Sequence, residues 1–81
     1  EIEWQMNLAR LYAVTQQPKE AQKIYDSILN RDGNNVDALQ EKAILLASTD
    51  KAAAKELATK AMRYASPAAK PKISQLLNSL S

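Results

Sequence analysis

Helix-breaking residues cluster at four places in this chain, and between them no segment alternates apolar and polar residues with period two. The breaks are Thr15–Pro18, Asp32–Asn35, Ser48–Asp50 and Ser66–Pro67. Between them alanine and leucine abound, residues that lose little on entering a helix. Five helices, joined by links of a few residues, are therefore predicted, and the fold class is all-α. Short links make each helix return antiparallel against its predecessor.

In the first segment Trp4, Leu8, Leu11, Tyr12 and Thr15 recur at steps of three and four, which predicts a helix to about Thr15. Pro18 cannot continue a helix but suits the first turn of a new one. The second helix is predicted over Pro18 to about Arg31, with Ala21, Ile24, Tyr25, Ile28 and Leu29 inward. Gly33, the only glycine, is expected to stop it in a left-handed conformation. Asn34 or Asn35 then caps a third helix, Val36 to about Ser48, with Leu39, Ala43, Leu46 and Ala47 inward. Thr49 or Asp50 caps a fourth, Lys51 to about Ala65, with Ala54, Leu57, Ala58, Ala61 and Met62 inward. A fifth follows Pro67, with Pro71 in its first turn and Ile73, Leu76, Leu77 and Leu80 in one stripe.

Composition narrows the chemistry. With no cysteine and no histidine, disulfides, thiolate or imidazole zinc sites and Ser-His-Asp triads are excluded. One glycine excludes the Gly-rich loops that cradle phosphates. The net charge of +2 is too mild to imply nucleic acid. It is unevenly spread: residues 1–50 hold five Lys/Arg against eight Asp/Glu, a net of −3, and residues 51–81 hold six against Glu56 alone, a net of +5. No apolar run approaches the roughly 20 residues of a membrane span. No targeting signal is visible, and the chain opens on "EIEW" without methionine. It reads as an excised piece of a longer protein, so its compartment is not legible, although "LNSLS" at the end resembles a true terminus.

Internal repetition organises the middle of the chain. "LARLY" at 8–12 and "KAILL" at 42–46 are offset by 34 residues, which pairs Ala9 with Ala43 and Tyr12 with Leu46. Ala21 pairs with Ala54 at an offset of 33. This period, with two helices per unit, resembles the tetratricopeptide repeat. Unit one offers Leu8-Ala9-x-x-Tyr12, Ala21-x-x-x-Tyr25 and "RDGNN", which is similar to the family's joint between units. Unit two offers Leu39, Ala43, Leu46, Ala54, Ala58, Ala61 and a late Pro67. The chain departs from the pattern at Trp4, one residue early, at Lys42 in place of leucine, and in the missing aromatics of unit two. The resemblance implies a single domain: repeat one about 2–35, repeat two about 36–67, and a capping helix about 68–80, stacked as a short right-handed superhelix. The last helix could also belong to a further repeat.

The resemblance also implies a function: a non-enzymatic scaffold that binds a partner peptide or domain in a concave groove lined by first helices. Carried onto this sequence, the groove is Met6, Asn7, Arg10, Ala13 and Val14 with Gln40, Glu41, Ile44 and Ala47, completed by Ser74 and Asn78. One subset of the family grips a terminal carboxylate with a Lys/Asn/Arg clamp. The matching positions here hold Met6, Arg10, Glu41 and Ile44, so that clamp is absent. A second expectation is an assembly face. Trp4 and Leu11 are seven residues apart on one side of the first helix, extended by Ile2, and either upstream sequence or another chain, as in a homodimer, covers them, unless Trp4 folds back on its own hairpin. A third reading is weak polyanion binding by Lys51, Lys55, Lys60, Arg63, Lys70 and Lys72, although only Tyr64 is available for stacking. "NRDGNNVD" fails as a calcium loop, because Gly33 at the fixed glycine places Ile28 and Leu39 at the first and last ligands. The carboxylates do not converge on a catalytic pair. No catalytic residue, cofactor or metal is expected, and the partner is expected to be a protein.

Overall fold

A computed structural model describes residues 2–80; Glu1, Ser81 and the side chain of Ile2 lie outside the described residues. The described chain is five helices: α1 (Ile2–Val14), α2 (Pro18–Arg31), α3 (Val36–Leu46), α4 (Lys51–Tyr64) and α5 (Lys70–Leu80). No strand occurs among the described residues. α2 starts on Pro18 as predicted, with its missing N–H among the donors that have no helical partner anyway. Asn35 caps α3 by accepting from the Ala38 N–H at 2.9 Å, and Asp50 caps α4 by accepting from the Ala53 N–H at 3.2 Å. α3 stops two residues short of Ser48. There the Ala47 and Thr49 N–H groups donate to Ile44 and Leu46 three residues back, which tightens the chain into the turn before Asp50.

Each helix packs on the next, α1 on α2, α2 on α3, α3 on α4 and α4 on α5. The core is correspondingly serial. Met6, Ala9, Ala21, Tyr25, Ile28 and Ala38 form one buried cluster, and Leu39, Ala43, Ala54, Ala58, Ala61, Ile73 and Leu80 form another. Leu29 touches both. Seven of these residues (Ala9, Ala21, Ala38, Ala43, Ala54, Ala58 and Ala61) are fully buried alanines, and methyl-sized side chains let helix axes approach toward the short end of the 8–10 Å range. The radius of gyration, 11.7 Å, is that of a compact domain of this length.

Two expectations are corrected. In α1 the buried residues are Ala9 and Met6, the latter expected on the groove surface, whereas Trp4 and Leu11 are exposed and Leu8 and Tyr12 partly covered. Trp4 does not fold back on its hairpin. Ala9 rather than a larger residue meets α2, because Ala21 and Tyr25 there leave room for a methyl group. The second correction concerns turn chemistry. Gly33 is not left-handed; α2 ends with the Asp32 N–H donating to Ile28 O at 2.8 Å. The left-handed residue is Gln16, φ 63°, after α1. The Gln17 N–H donates to Tyr12 O at 2.8 Å and the Gln16 N–H to Ala13 O at 3.4 Å, the bond pair of a Schellman ending, with glutamine where glycine is usual.

Opposite substitutions therefore stabilise at the two positions. Gln16→Gly removes a left-handed Cβ worth about 1 kcal/mol of strain. Gly33→Ala adds a Cβ that meets only Leu29 O at 3.6 Å, and it stiffens the unfolded chain by about 0.4–1 kcal/mol. Urea midpoints for both variants are expected above that of the native chain. A Gly33→Ala midpoint below it would put strain back at residue 33.

Candidate functional site

The last turns of α1 and the outer side of α3 meet over α2 in a cleft of about 680 Å³. From α1 come Arg10, Ala13 and Val14, and from α3 Asp37, Gln40, Glu41, Ile44 and Leu45. These sets recur at three and four residues, the spacing that puts side chains on one helical face. Tyr25 of α2 and Lys72 in the first turn of α5 complete the lining.

The cleft has a polar centre. Arg10 donates to Glu41 through Nε, 2.9 Å from each carboxylate oxygen, and through Nη2 at 2.5 Å from Oε2. Its Nη1 donates to Asn7 Oδ1 at 3.1 Å. The Tyr25 hydroxyl donates to Glu41 Oε1 at 2.9 Å. Three helices thus converge on one carboxylate. The Glu41 side chain is 20% exposed and that of Arg10 50%, so water screens the pair from one side only. The Glu41 hydrogen bond raises the Arg10 pKa further above its ordinary value. Burial, and then the hydrogen bond to Glu41, push the Tyr25 hydroxyl above the usual tyrosine range. Two donor groups, from α1 and α2, thus hold the Glu41 carboxylate in place. Below the cleft, Lys42 pairs with Asp26 and fastens α3 to α2.

Beside this centre lie apolar side chains that the fold leaves uncovered: Ile44 is 54% exposed and Val14 77%. Lys72 and Asp37 bring charges of both sign to the lining, and neither is ion-paired among the described residues. The structure thus brings together Arg10, Ala13, Val14, Gln40, Glu41 and Ile44 of the predicted groove, with Asn7 attached through Arg10. It does not bring in the rest. Met6, 4% exposed, packs into the α1–α2 core and is removed from the groove surface. Ala47 packs on the second cluster, and Ser74 and Asn78 are exposed outside the lining.

Four lining residues were not foreseen there. Tyr25 was expected only in the core, and Lys72 only in the basic half. Asp37 and Leu45 lie one turn from Glu41, a position that the helical spacing could have indicated. On the expected assembly face, Trp4 and Leu11 are exposed, while the Ile2 side chain lies outside the described residues. Of the basic half, Lys51, Lys55, Lys60, Arg63 and Lys70 are exposed and spread over two helices.

Among the described residues no three potential metal ligands cluster, and no helix is long and apolar enough to cross a membrane. No protein-family model matches this chain, and no curated protein matches it.

Proposed function

We propose that this domain is a non-enzymatic interaction module that holds an extended segment of a partner protein in the α1–α3 cleft. The observation that carries the reading is the pair of exposed apolar side chains, Val14 and Ile44, beside a carboxylate centre already satisfied from three helices. Lone exposed apolar residues are ordinary, but two in one concave site next to a fixed polar centre offer an anchor pocket with built-in orientation. Lys72 and Asp37 favour a segment whose apolar anchor is flanked by charged residues of both signs. In this reading the helical hairpins are two degenerate tetratricopeptide-like repeats with α5 as their cap. The reading rests on the repeat spacing, the small residues at the helix contacts and the serial packing of the helices.

Selection from a displayed library of random peptides tests it. The native domain is expected to enrich a common motif with one large apolar residue. Ile44→Asp is expected to weaken the enriched peptides at least about tenfold, about 1.4 kcal/mol, without changing helicity. Failure to enrich any motif, or equal binding by the variant, would sink the cleft as a binding site.

A further inference from the structure

We propose that the outer face of α1 pairs with the same face of a second copy of this chain, with the two helices antiparallel. Trp4, Asn7, Leu11 and Val14 follow three-four-three spacing and form one stripe along α1. The stripe points away from Met6 and Ala9, which are buried against α2. Trp4, Leu11 and Val14 are 66%, 55% and 77% exposed. Trp4 and Leu11 together leave roughly 300 Å² of mostly apolar surface, within the range of the largest patch on an ordinary monomer. Covered on both copies, with the polar rim added, this reaches the order of 1,000 Å² that a specific interface needs.

Charge complementarity selects a second copy and sets its direction. Glu3 and Arg10 lie along one flank of the stripe, seven residues apart, the same separation as Trp4 and Leu11. An antiparallel pair related by a two-fold axis places each flank against its own copy. With the axis at Asn7, Trp4 meets Leu11 of the second copy, Glu3 meets Arg10 of the second copy, and each contact is made twice. The centres of the two reciprocal pairs, between residues 7 and 8 and between 6 and 7, straddle that axis. Arg10 can serve both sites: Glu41 and Asn7 take three of its five N–H donors, and its side chain is 50% exposed. Asn7 meets itself at the axis, where a polar residue in an apolar seam fixes register.

The proposal goes beyond the cleft reading, and its test contains no cleft ligand. Sedimentation velocity is run on the native chain from micromolar to millimolar concentration, beside Trp4→Ala, Leu11→Glu and Glu3→Lys. All three sites are exposed, so far-UV circular dichroism is expected to stay native. Val14 and Arg10 are left intact because they line the cleft. A concentration-dependent dimer is expected, weakened at least about tenfold by Trp4→Ala and Leu11→Glu and severalfold by Glu3→Lys. A native chain that stays monomeric throughout, or a dimer indifferent to Trp4→Ala and Leu11→Glu, overturns the proposal. A Glu3→Lys dimer as tight as the native one overturns the antiparallel register.

Discussion

Ala43→Trp abolishes the cooperative thermal transition of this domain or lowers its midpoint by more than about 15 °C. Ala43 has no exposed surface and packs in the cluster that joins α3, α4 and α5. Its neighbours Ala54, Ala58 and Ala61 are also fully buried, so the helices meet through methyl groups. An indole at this contact needs far more space than a fully buried methyl group occupies. The helices must then separate, and the burial of Leu39, Ile73 and Leu80 goes with the separation. Overpacking in better-cushioned cores costs about 1–3 kcal/mol, and at a helix–helix contact without slack the cost exceeds about 3 kcal/mol. A chain of 81 residues has a total margin of only about 4–12 kcal/mol. Each kcal/mol moves the midpoint of so small a domain by about 4–8 °C. Ala52→Trp, on the exposed side of α4, is the control and is expected to stay within about 0.5 kcal/mol of native. A native-like midpoint for Ala43→Trp would mean that α3 and α4 do not meet at Ala43.

The alanine contacts were legible because small residues recur in the sequence at the offset that relates the two hairpins. Helix limits were legible where the deciding interaction is local: Pro18 at the start of α2, Asn35 and Asp50 as side-chain caps. The buried face of α1 was not. Trp4, Met6, Leu8, Ala9, Leu11, Tyr12, Ala13 and Val14 place apolar groups all round that helix, so periodicity alone cannot choose a side. The choice is made by α2, whose Ala21 and Tyr25 accept Ala9 and Met6 and leave the larger Trp4 outside. The turn at Gln16 was missed for a related reason. Glycine marks where a left-handed residue is cheap, but the hydrogen bonds from Gln16 and Gln17 back to α1 impose one where it is costly. Helical spacing together with the repeat resemblance put Arg10 and Glu41 on one groove. That Tyr25 completes their centre depends on three helices at once, and no spacing within one helix encodes it.

That centre carries the second large effect: Glu41→Ala is expected to cost about 2 kcal/mol, chiefly at Tyr25. Arg10 is half exposed and regains water when the carboxylate goes, so its lost pair contributes little. The Tyr25 hydroxyl belongs to a buried residue with no other hydrogen-bond acceptor among the described residues, and stranding it carries most of the penalty. In a Tyr25→Phe background the hydroxyl is absent, and Glu41→Ala should then cost about 1 kcal/mol less; additive costs in the double-mutant cycle would contradict this division. Alkaline pH reads the same contact. Burial and Glu41 raise the Tyr25 pKa in the folded state, whereas the unfolded chain releases the proton near pH 10. Below about pH 10 both states keep the proton and this contribution is constant. Above it the unfolded state binds fewer protons than the native one, so stability falls as pH rises toward the folded-state value. Unfolding free energy measured from pH 8 upward should therefore decline less steeply in Tyr25→Phe than in the native chain. Parallel alkaline limbs would mean that the hydroxyl titrates as freely in the folded domain as in the unfolded chain, and the three-helix centre on Glu41 would lose its part in holding the cleft.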